Sequence, residues 1–192
     1  YRVAVHYGPR ALQAQVAVVQ GNVDQMVKWS PDFKTATVDT YLRLSREAIG
    51  EADVELVVWP ETALPFYPQR DQLTSRLAAF TGAANTWLLT GAPLYTITPQ
   101  TDGSELVRHY NGAILLGPDG RIAASHAKQH LVPFGEYVPL RPYLPFLEPL
   151  VVSIGDFAAG TSDEPLALGP MRLGMLICYE SIFPEIARQS VT

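Results

Sequence analysis

Three residues with reactive side chains each follow a short apolar stretch, at well-separated points of the chain. Glu61 follows "LVVWP", Lys128 follows "RIAASHA", and Cys178, the only cysteine among 192 residues, follows "GMLI". In sheets covered by helices, ligands gather where strands end and loops begin. We therefore expect the three side chains to meet in one site at the ends of three strands.

A carboxylate, an ammonium group and a thiol in one site are suited to acyl transfer. A free thiol has a pKa of about 8.5, so a nucleophilic cysteine needs a base or a positive environment at neutral pH. Glu61 can accept the thiol proton. Lys128, together with a backbone N–H, can stabilise the thiolate and the oxyanion formed at an attacked carbonyl. A helix predicted from about Ser181 would place its positive end beside Cys178.

Each of these residues, taken alone, also has a purely structural interpretation. A lone cysteine after an apolar strand is more often a small buried side chain. Glu61 suits a solvated loop or a helix-cap neighbour, and Lys128 suits the surface. Trp29 and Trp59 are most simply core aromatics. The catalytic interpretation therefore depends on the motifs that surround the three residues.

Composition excludes several classes of protein. The chain carries 14 basic and 19 acidic residues, a net charge of −5, and has no basic cluster, which argues against a nucleic-acid partner. One cysteine cannot form an internal disulfide. We predict neither a metal nor a cofactor, because the four histidines show no metal-ligand spacing: His6, His109, His126 and His130. No apolar run approaches the roughly 18 to 20 residues of a membrane span.

Hydrophobic periodicity predicts a mixed α/β fold. Strand patterns at 16–20, 55–61 and 86–92 alternate with helical patterns at 38–49 and 73–80, which indicates a sheet covered by helices. Two hairpins are predicted next, at 110–128 around Gly-Pro-Asp-Gly and at 165–180 around Gly169-Pro170. We assign 1–15 as a lead-in segment and 16–192 as one domain. Within this domain, residues 137–160 form a proline- and aromatic-rich segment, here called the arm.

Three motifs resemble the carbon–nitrogen hydrolase (nitrilase) superfamily, whose members use a Glu-Lys-Cys triad. They are "VVWPETALPF", "HAKQHLVPFGEYVPL" and "LGMLICYESIFPE", in that order. More narrowly, "WPETALP", "HLVPFGEYVPL" and "CYESIFPE" resemble the apolipoprotein N-acyltransferase family of the bacterial inner membrane. The resemblance implies an α-β-β-α sandwich with mixed sheets, of which the C-terminal part is missing from this chain.

The resemblance also implies a reaction. An acyl chain passes from a glycerophospholipid to the cysteine as a thioester, and then to the N-terminal amine of a diacylglyceryl-cysteine lipoprotein. By motif position, Glu61 is the general base, Lys128 the oxyanion stabiliser and Cys178 the nucleophile. Four further positions match family residues: Glu136 and Glu180 as supporting acids, and Trp29 and Tyr179 at the lipid entrance. The domain would face the periplasm.

Two alternatives stay open at this point. The same triad would serve a soluble nitrilase-type amidohydrolase acting on a small amide, and a buried Cys178 would suit a non-catalytic lipid- or lipoprotein-binding module. The apolar arm favours the acyltransferase, since side chains such as Phe146 and Leu147 could meet acyl chains at a bilayer. Folding of the arm into the core is the competing interpretation.

Overall fold

A computed structural model describes residues 14–23, 31–50, 53–133, 135–137 and 157–189 of the chain. The elements in chain order are β1 (Val16–Val18), α1 (Pro31–Ile49), β2 (Leu56–Val58), α2 (Thr74–Ala84), β3 (Trp87–Pro99), β4 (Glu105–Leu116), β5 (Ile122–Ala127), β6 (Leu166–Leu168), β7 (Met171–Leu173), a 3₁₀ helix (Cys178–Ile182) and α3 (Pro184–Gln189).

The main sheet is mixed, as predicted. Its order is β1-β2-β3-β4-β5, with β1, β2 and β3 parallel and β3, β4 and β5 antiparallel. Parallel strands need long crossover connections, which contain α1 and α2, whereas short turns suffice for antiparallel neighbours. A second sheet consists of β6 and β7, joined at Gly169-Pro170.

Both predicted helices are present, because their apolar residues recur on one face. Val38, Tyr41 and Leu42 of α1 and Leu77 and Phe80 of α2 are buried. Each helix ends on a left-handed residue, as helices commonly do. Gly50 (φ 49°) donates its N–H to Arg46 O at 3.0 Å, and Asn85 (φ 48°) donates to Thr81 O.

Alternate residues of the main sheet face two different cores. One face packs on the helices through Val57, Leu88 and Ile114. The opposite face packs on β6 and β7: Leu56 and Leu115 contact Leu166 and Leu168. This period-2 division is what a strand buried on both faces requires. The result is a layered α/β sandwich of helices, a mixed sheet and a second sheet.

The β3–β4 hairpin is longer than the sequence predicts. The predicted strands end at Ala92 and resume at Tyr110, whereas the observed strands run to Pro99 and from Glu105. Gly91 directs its N–H and C=O toward the 60–64 loop and away from β4. Pro93, two residues further, directs its nitrogen to that same side, where β2 has already ended. A proline is tolerated there because no ladder hydrogen bond is lost.

The predicted strand that ends at Cys178 is wrong. β7 ends at Leu173, residues 174–177 form no strand, and Cys178 itself begins the 3₁₀ helix, three residues before the helix start predicted at Ser181. The Ile177 N–H donates to the Glu180 carboxylate at 2.7 Å, so it is not available to a neighbouring strand. Trp29 and arm residues 138–156, among them Phe146 and Leu147, lie outside the described residues.

Candidate active site

Glu61 follows a firmly anchored segment of chain. Trp59 is 2% exposed, stacks on Tyr41 with ring centroids 5.0 Å apart, and donates its ring N–H to Ser45 Oγ at 2.8 Å. Its backbone N–H also donates to Leu89 O at 2.9 Å. Trp59 is therefore a core aromatic, as expected, and it fixes the chain two residues before Glu61.

A tight turn then presents Glu61 against β3. The Pro60 carbonyl accepts the N–H groups of Ala63 and Gly91, both at 3.2 Å, and Thr62 has a φ of 47°. A Cβ at Gly91 would lie 2.6 Å from Glu61 Cα, closer than side-chain atoms approach. Gly91 thus allows the loop to lie directly on the strand.

Lys128 is fully buried at the end of β5. Its backbone N–H donates to Asn111 O at 2.8 Å, and its C=O accepts the Gly160 N–H at 2.8 Å. Its Nζ lies 3.0 Å from Glu136 Oε1 and 3.8 Å from Glu61 Oε1, and only 1% of the side chain is exposed. A buried ammonium group needs charged partners to compensate its desolvation, and Glu136 and Glu61 supply them.

Glu136 holds Lys128 from the far side. Its Oε1 accepts Lys128 Nζ and also Asn111 Nδ2 at 2.6 Å, while Oε2 accepts the Val132 N–H at 2.8 Å. Its backbone C=O accepts the Phe157 N–H at 3.0 Å. The carboxylate is thereby fixed by a short local turn, and the backbone of Glu136 is held by Phe157.

Cys178 completes the group and is an exposed residue. Its φ of 53° lies in the left-handed region, which is unusual for a residue with a side chain and recurs at functional sites. Partial burial of the sulfur raises the pKa of the thiol, as do the Glu61 charge and a hydrogen bond to Glu61; the Lys128 ammonium and the Tyr179 N–H lower it. The exposure of Cys178 contradicts its interpretation as a buried packing residue.

Glu180 joins the Cys178 turn to the loop after Lys128. The side chain is completely buried, and three backbone N–H groups donate to its carboxylate: Gln129 at 2.8 Å and His130 at 3.0 Å to Oε1, and Ile177 at 2.7 Å to Oε2. These bonds compensate the buried charge. Glu180 therefore sets the distance between two segments that carry reactive residues.

The structure brings Glu61, Lys128, Cys178 and Glu136 into one cluster, and the buried Glu180 carboxylate binds the segments on either side of it that carry Lys128 and Cys178. Tyr179 is 42% exposed beside the thiol and makes an edge-on contact with Phe183, at 5.1 Å between ring centroids. Within the described ranges, no group of three or more His, Cys, Asp or Glu side chains is arranged to hold a metal ion.

Sequence reasoning missed Asn111. Its Nδ2 donates to Glu61 Oε1 at 2.7 Å and to Glu136 Oε1 at 2.6 Å. The available signal was that this amide side chain, together with Gly112, directly precedes the apolar stretch from Ala113 to Leu116 of the same strand. A buried polar residue in such a strand needs partners, and these are found in the site.

The chain belongs to the carbon–nitrogen hydrolase family, whose model matches residues 15–192. Its fold is similar to that of the C. elegans NitFhit protein, with a TM-score of 0.60 and 21% identity over 91% of this chain and 40% of that one. This likeness, together with the layered sheets, establishes the nitrilase-like α/β sandwich.

Among curated proteins, the chain is similar to the apolipoprotein N-acyltransferase of Geobacter metallireducens. The two are 41% identical over 98% of this chain and 37% of the relative. The apolipoprotein N-acyltransferase of Pseudomonas aeruginosa is 38% identical over 90% of this chain and 32% of its own length. The chain thus spans about a third of these relatives. None of the helices in the described residues is both long enough and apolar enough to cross a membrane.

Proposed function

We propose that this chain supplies the catalytic residues of a lipoprotein N-acyltransferase. One observation carries the chemistry: the charges of Glu61 and Lys128, whose side chains lie 3.8 Å apart, both act on the Cys178 thiol. The choice of substrate is supported by the two relatives named as apolipoprotein N-acyltransferases. The donor is a glycerophospholipid, and the acceptor is the N-terminal amine of a diacylglyceryl-cysteine lipoprotein.

In the first half-reaction, the thiol attacks the ester carbonyl of the phospholipid. Because the thiol pKa is raised, the resting sulfur is protonated and needs a base at the moment of attack. Glu61 takes the proton as the S–C bond forms. The Lys128 ammonium and the Tyr179 N–H, which both act on the sulfur at rest, are placed to stabilise the oxyanion. When the tetrahedral intermediate collapses, the ester C–O bond breaks. The lysophospholipid leaves as an alkoxide, which receives the proton from Glu61.

In the second half-reaction, the amine of the lipoprotein attacks the thioester. The N–C bond forms as Glu61 accepts a proton from the attacking amine, and the C–S bond then breaks. The departing thiolate receives the proton back from Glu61, which regenerates the resting enzyme. Glu136 and Glu180 act without touching substrate: Glu136 holds Lys128, and Glu180 holds the turn that bears Cys178.

The direct test is mass spectrometry of Cys178 in the full-length protein after incubation with phospholipid. We expect a mass increase of one acyl group on Cys178, which lipoprotein peptide then removes. Cys178→Ala should abolish transfer, and Lys128→Met should slow thioester formation by about 10²- to 10³-fold. Near-normal transfer by Cys178→Ala would overturn the proposal.

The same experiment tests the amidohydrolase and binding-module alternatives. An amidohydrolase would release the acyl group to water at a rate that does not depend on lipoprotein peptide. A binding module would retain phospholipid without any covalent change at Cys178. The two apolipoprotein N-acyltransferase relatives favour the acyltransferase. The likeness to the solved structure does not decide between these functions, because at 21% identity it supports the fold alone.

We further propose that Tyr179, Trp29, Phe146 and Leu147 contact lipid, and that the domain acts at the periplasmic face of the inner membrane. The exposure of Tyr179 beside the thiol supports the first of these assignments. Phe146→Ser combined with Leu147→Ser should impair transfer from bilayer phospholipid far more than from a short-chain soluble ester. Equal loss with both donors would show that these residues belong to the core.

A further inference from the structure

Asn111 contacts three members of the proposed site. It is 3% exposed at the point where β4 faces the end of β5. Its side-chain nitrogen donates to Glu61 and to Glu136, and its backbone carbonyl accepts the N–H of Lys128 at 2.8 Å.

The orientation of the amide is fixed by the carboxylates. A primary amide nitrogen has two N–H donors, and here each serves a different glutamate. The reversed orientation would place Oδ1 against two carboxylate oxygens, with no donor between them. In the observed orientation, Oδ1 is buried and has no hydrogen-bond partner among the described residues. The amide thus leaves its own acceptor unsatisfied in order to donate to both glutamates.

We propose that Asn111 is a positioning residue that holds Glu61 apart from Lys128, a role that rests on the proposed function of the triad. Glu61 Oε1 and Lys128 Nζ are 3.8 Å apart, longer than the 3.0 Å contact that Lys128 makes with Glu136. Without the Asn111 donor, Glu61 and Lys128 would close from 3.8 Å to hydrogen-bond distance. The base and the oxyanion stabiliser would then neutralise each other instead of acting on Cys178.

Two variants in the full-length protein test this role. Asn111→Leu removes both donors with little change of volume. Asn111→Asp keeps the shape but replaces the shared donor by a third carboxylate. Asn85→Asp is the matched control, because it adds the same charge at the exposed, left-handed end of α2, among residues that do not contact the triad.

Three measurements are needed: kcat and KM for acyl transfer, the melting temperature, and the pH dependence of Cys178 alkylation by iodoacetamide. The charged groups that act on the thiol are Glu61 and Lys128, with Glu136 behind Lys128. We expect Asn111→Leu to lower kcat by about 10²-fold, with KM for phospholipid nearly unchanged. Asn111→Asp should also move the alkylation midpoint to higher pH, because added negative charge disfavours the thiolate. Asn85→Asp should change neither.

Retention of kcat by both variants would overturn the proposal. A merely structural role would also overturn it. In that case activity would fall only in proportion to the melting temperature, and the alkylation midpoint of Asn111→Asp would stay at the wild-type pH. Failure of the proposed function has a different signature: wild-type Cys178 would form no thioester. The alkylation profile needs no acyl substrate and would still report on Asn111.

Discussion

Glu61 has two opposite effects on the Cys178 thiol: it disfavours ionisation at rest, and it is the proposed base during attack. Its negative charge and its hydrogen bond with the thiol raise the thiol pKa and keep the resting sulfur protonated. The same carboxylate is the proposed acceptor of the thiol proton during attack. Ionisation at rest and reactivity toward an ester should therefore respond in opposite directions when the charge is removed.

We expect Glu61→Gln to separate the two effects. The alkylation midpoint of Cys178 should move to lower pH, because the charge that raises the thiol pKa is gone. Thioester formation should nevertheless fall by about 10²- to 10⁴-fold, since the general base is lost. Alkylation profiles and acyl-enzyme mass spectra measure the two quantities. Glu105→Gln, exposed at the start of β4, is the control. A midpoint that moves to higher pH would contradict this account.

The motifs indicated which residues lie together but not the contacts between them. Glu61, Lys128, Cys178, Glu136 and Glu180 stand in three motifs and lie close together in the structure, while their catalytic roles stay predictions. The role of Glu180 as acceptor of three backbone N–H groups was not predictable, because two of the donors belong to residues about 50 positions away. Asn111 was missed for the same reason, since its partners lie in other segments.

Gly91 couples β3 to the turn that presents Glu61. Gly91→Ala would place a methyl group 2.6 Å from Glu61 Cα, so the turn must move away from the strand. We expect a stability loss of about 1 to 3 kcal/mol, as for other overpacked sites, together with a large fall in activity. Urea unfolding and acyl-transfer rates provide the measurements.

Gly82→Ala is the matched control for Gly91→Ala. Gly82 lies within α2, where an added Cβ would make only an ordinary contact, 3.6 Å from Pro118 O. It should raise stability by up to about 1 kcal/mol through helix propensity and leave activity unchanged. If Gly91→Ala behaved like Gly82→Ala, the turn would not depend on its close approach to β3.

The elements that were predicted correctly have strong local signals. The two helices carry regular apolar spacing, and the turn between β4 and β5 carries Gly-Pro-Asp-Gly. The predictions that differ from the structure concern segments whose conformation depends on hydrogen-bond partners elsewhere in the chain. β3 continues through Pro93 only because β4 pairs with its other side. The stretch before Cys178 has the composition of a strand, but Glu180 binds one of the N–H groups that a strand would use.

The buried ring of His126 links the stability of the protein to pH. It is 7% exposed on β5; burial lowers its pKa, and the Glu180 charge opposes this effect. A depressed pKa means that the fold favours the neutral ring. Its contribution is therefore fully present above the unfolded pKa of about 6.5 and is lost as the pH falls through the folded pKa. Acidification below about pH 6.5 should destabilise the protein.

Urea unfolding at a series of pH values from about 5 to 7.5 measures this dependence. The expected loss is on the order of 1.4 kcal/mol for each unit by which the pKa of His126 differs between the folded and unfolded states. His126→Gln should flatten the acidic limb, whereas His109→Gln, on an exposed part of β4, should not. An unchanged slope in His126→Gln would show that another group governs the acid response.

The hydrogen bond from the Phe157 N–H to Glu136 O has an evolutionary consequence. Residues 138–156 connect Tyr137 to Phe157, and this hydrogen bond ties the two ends together at Glu136, next to Lys128. Closing a loop costs free energy that grows only with the logarithm of its length, about 0.6 kcal/mol per doubling. A short Gly-Ser linker in place of 138–156 should therefore close these two ends at little extra cost and keep the alkylation midpoint of Cys178, and a shifted midpoint would refute this. Insertions and deletions between the two tied ends would then leave the contact of Glu136 with Lys128 unchanged.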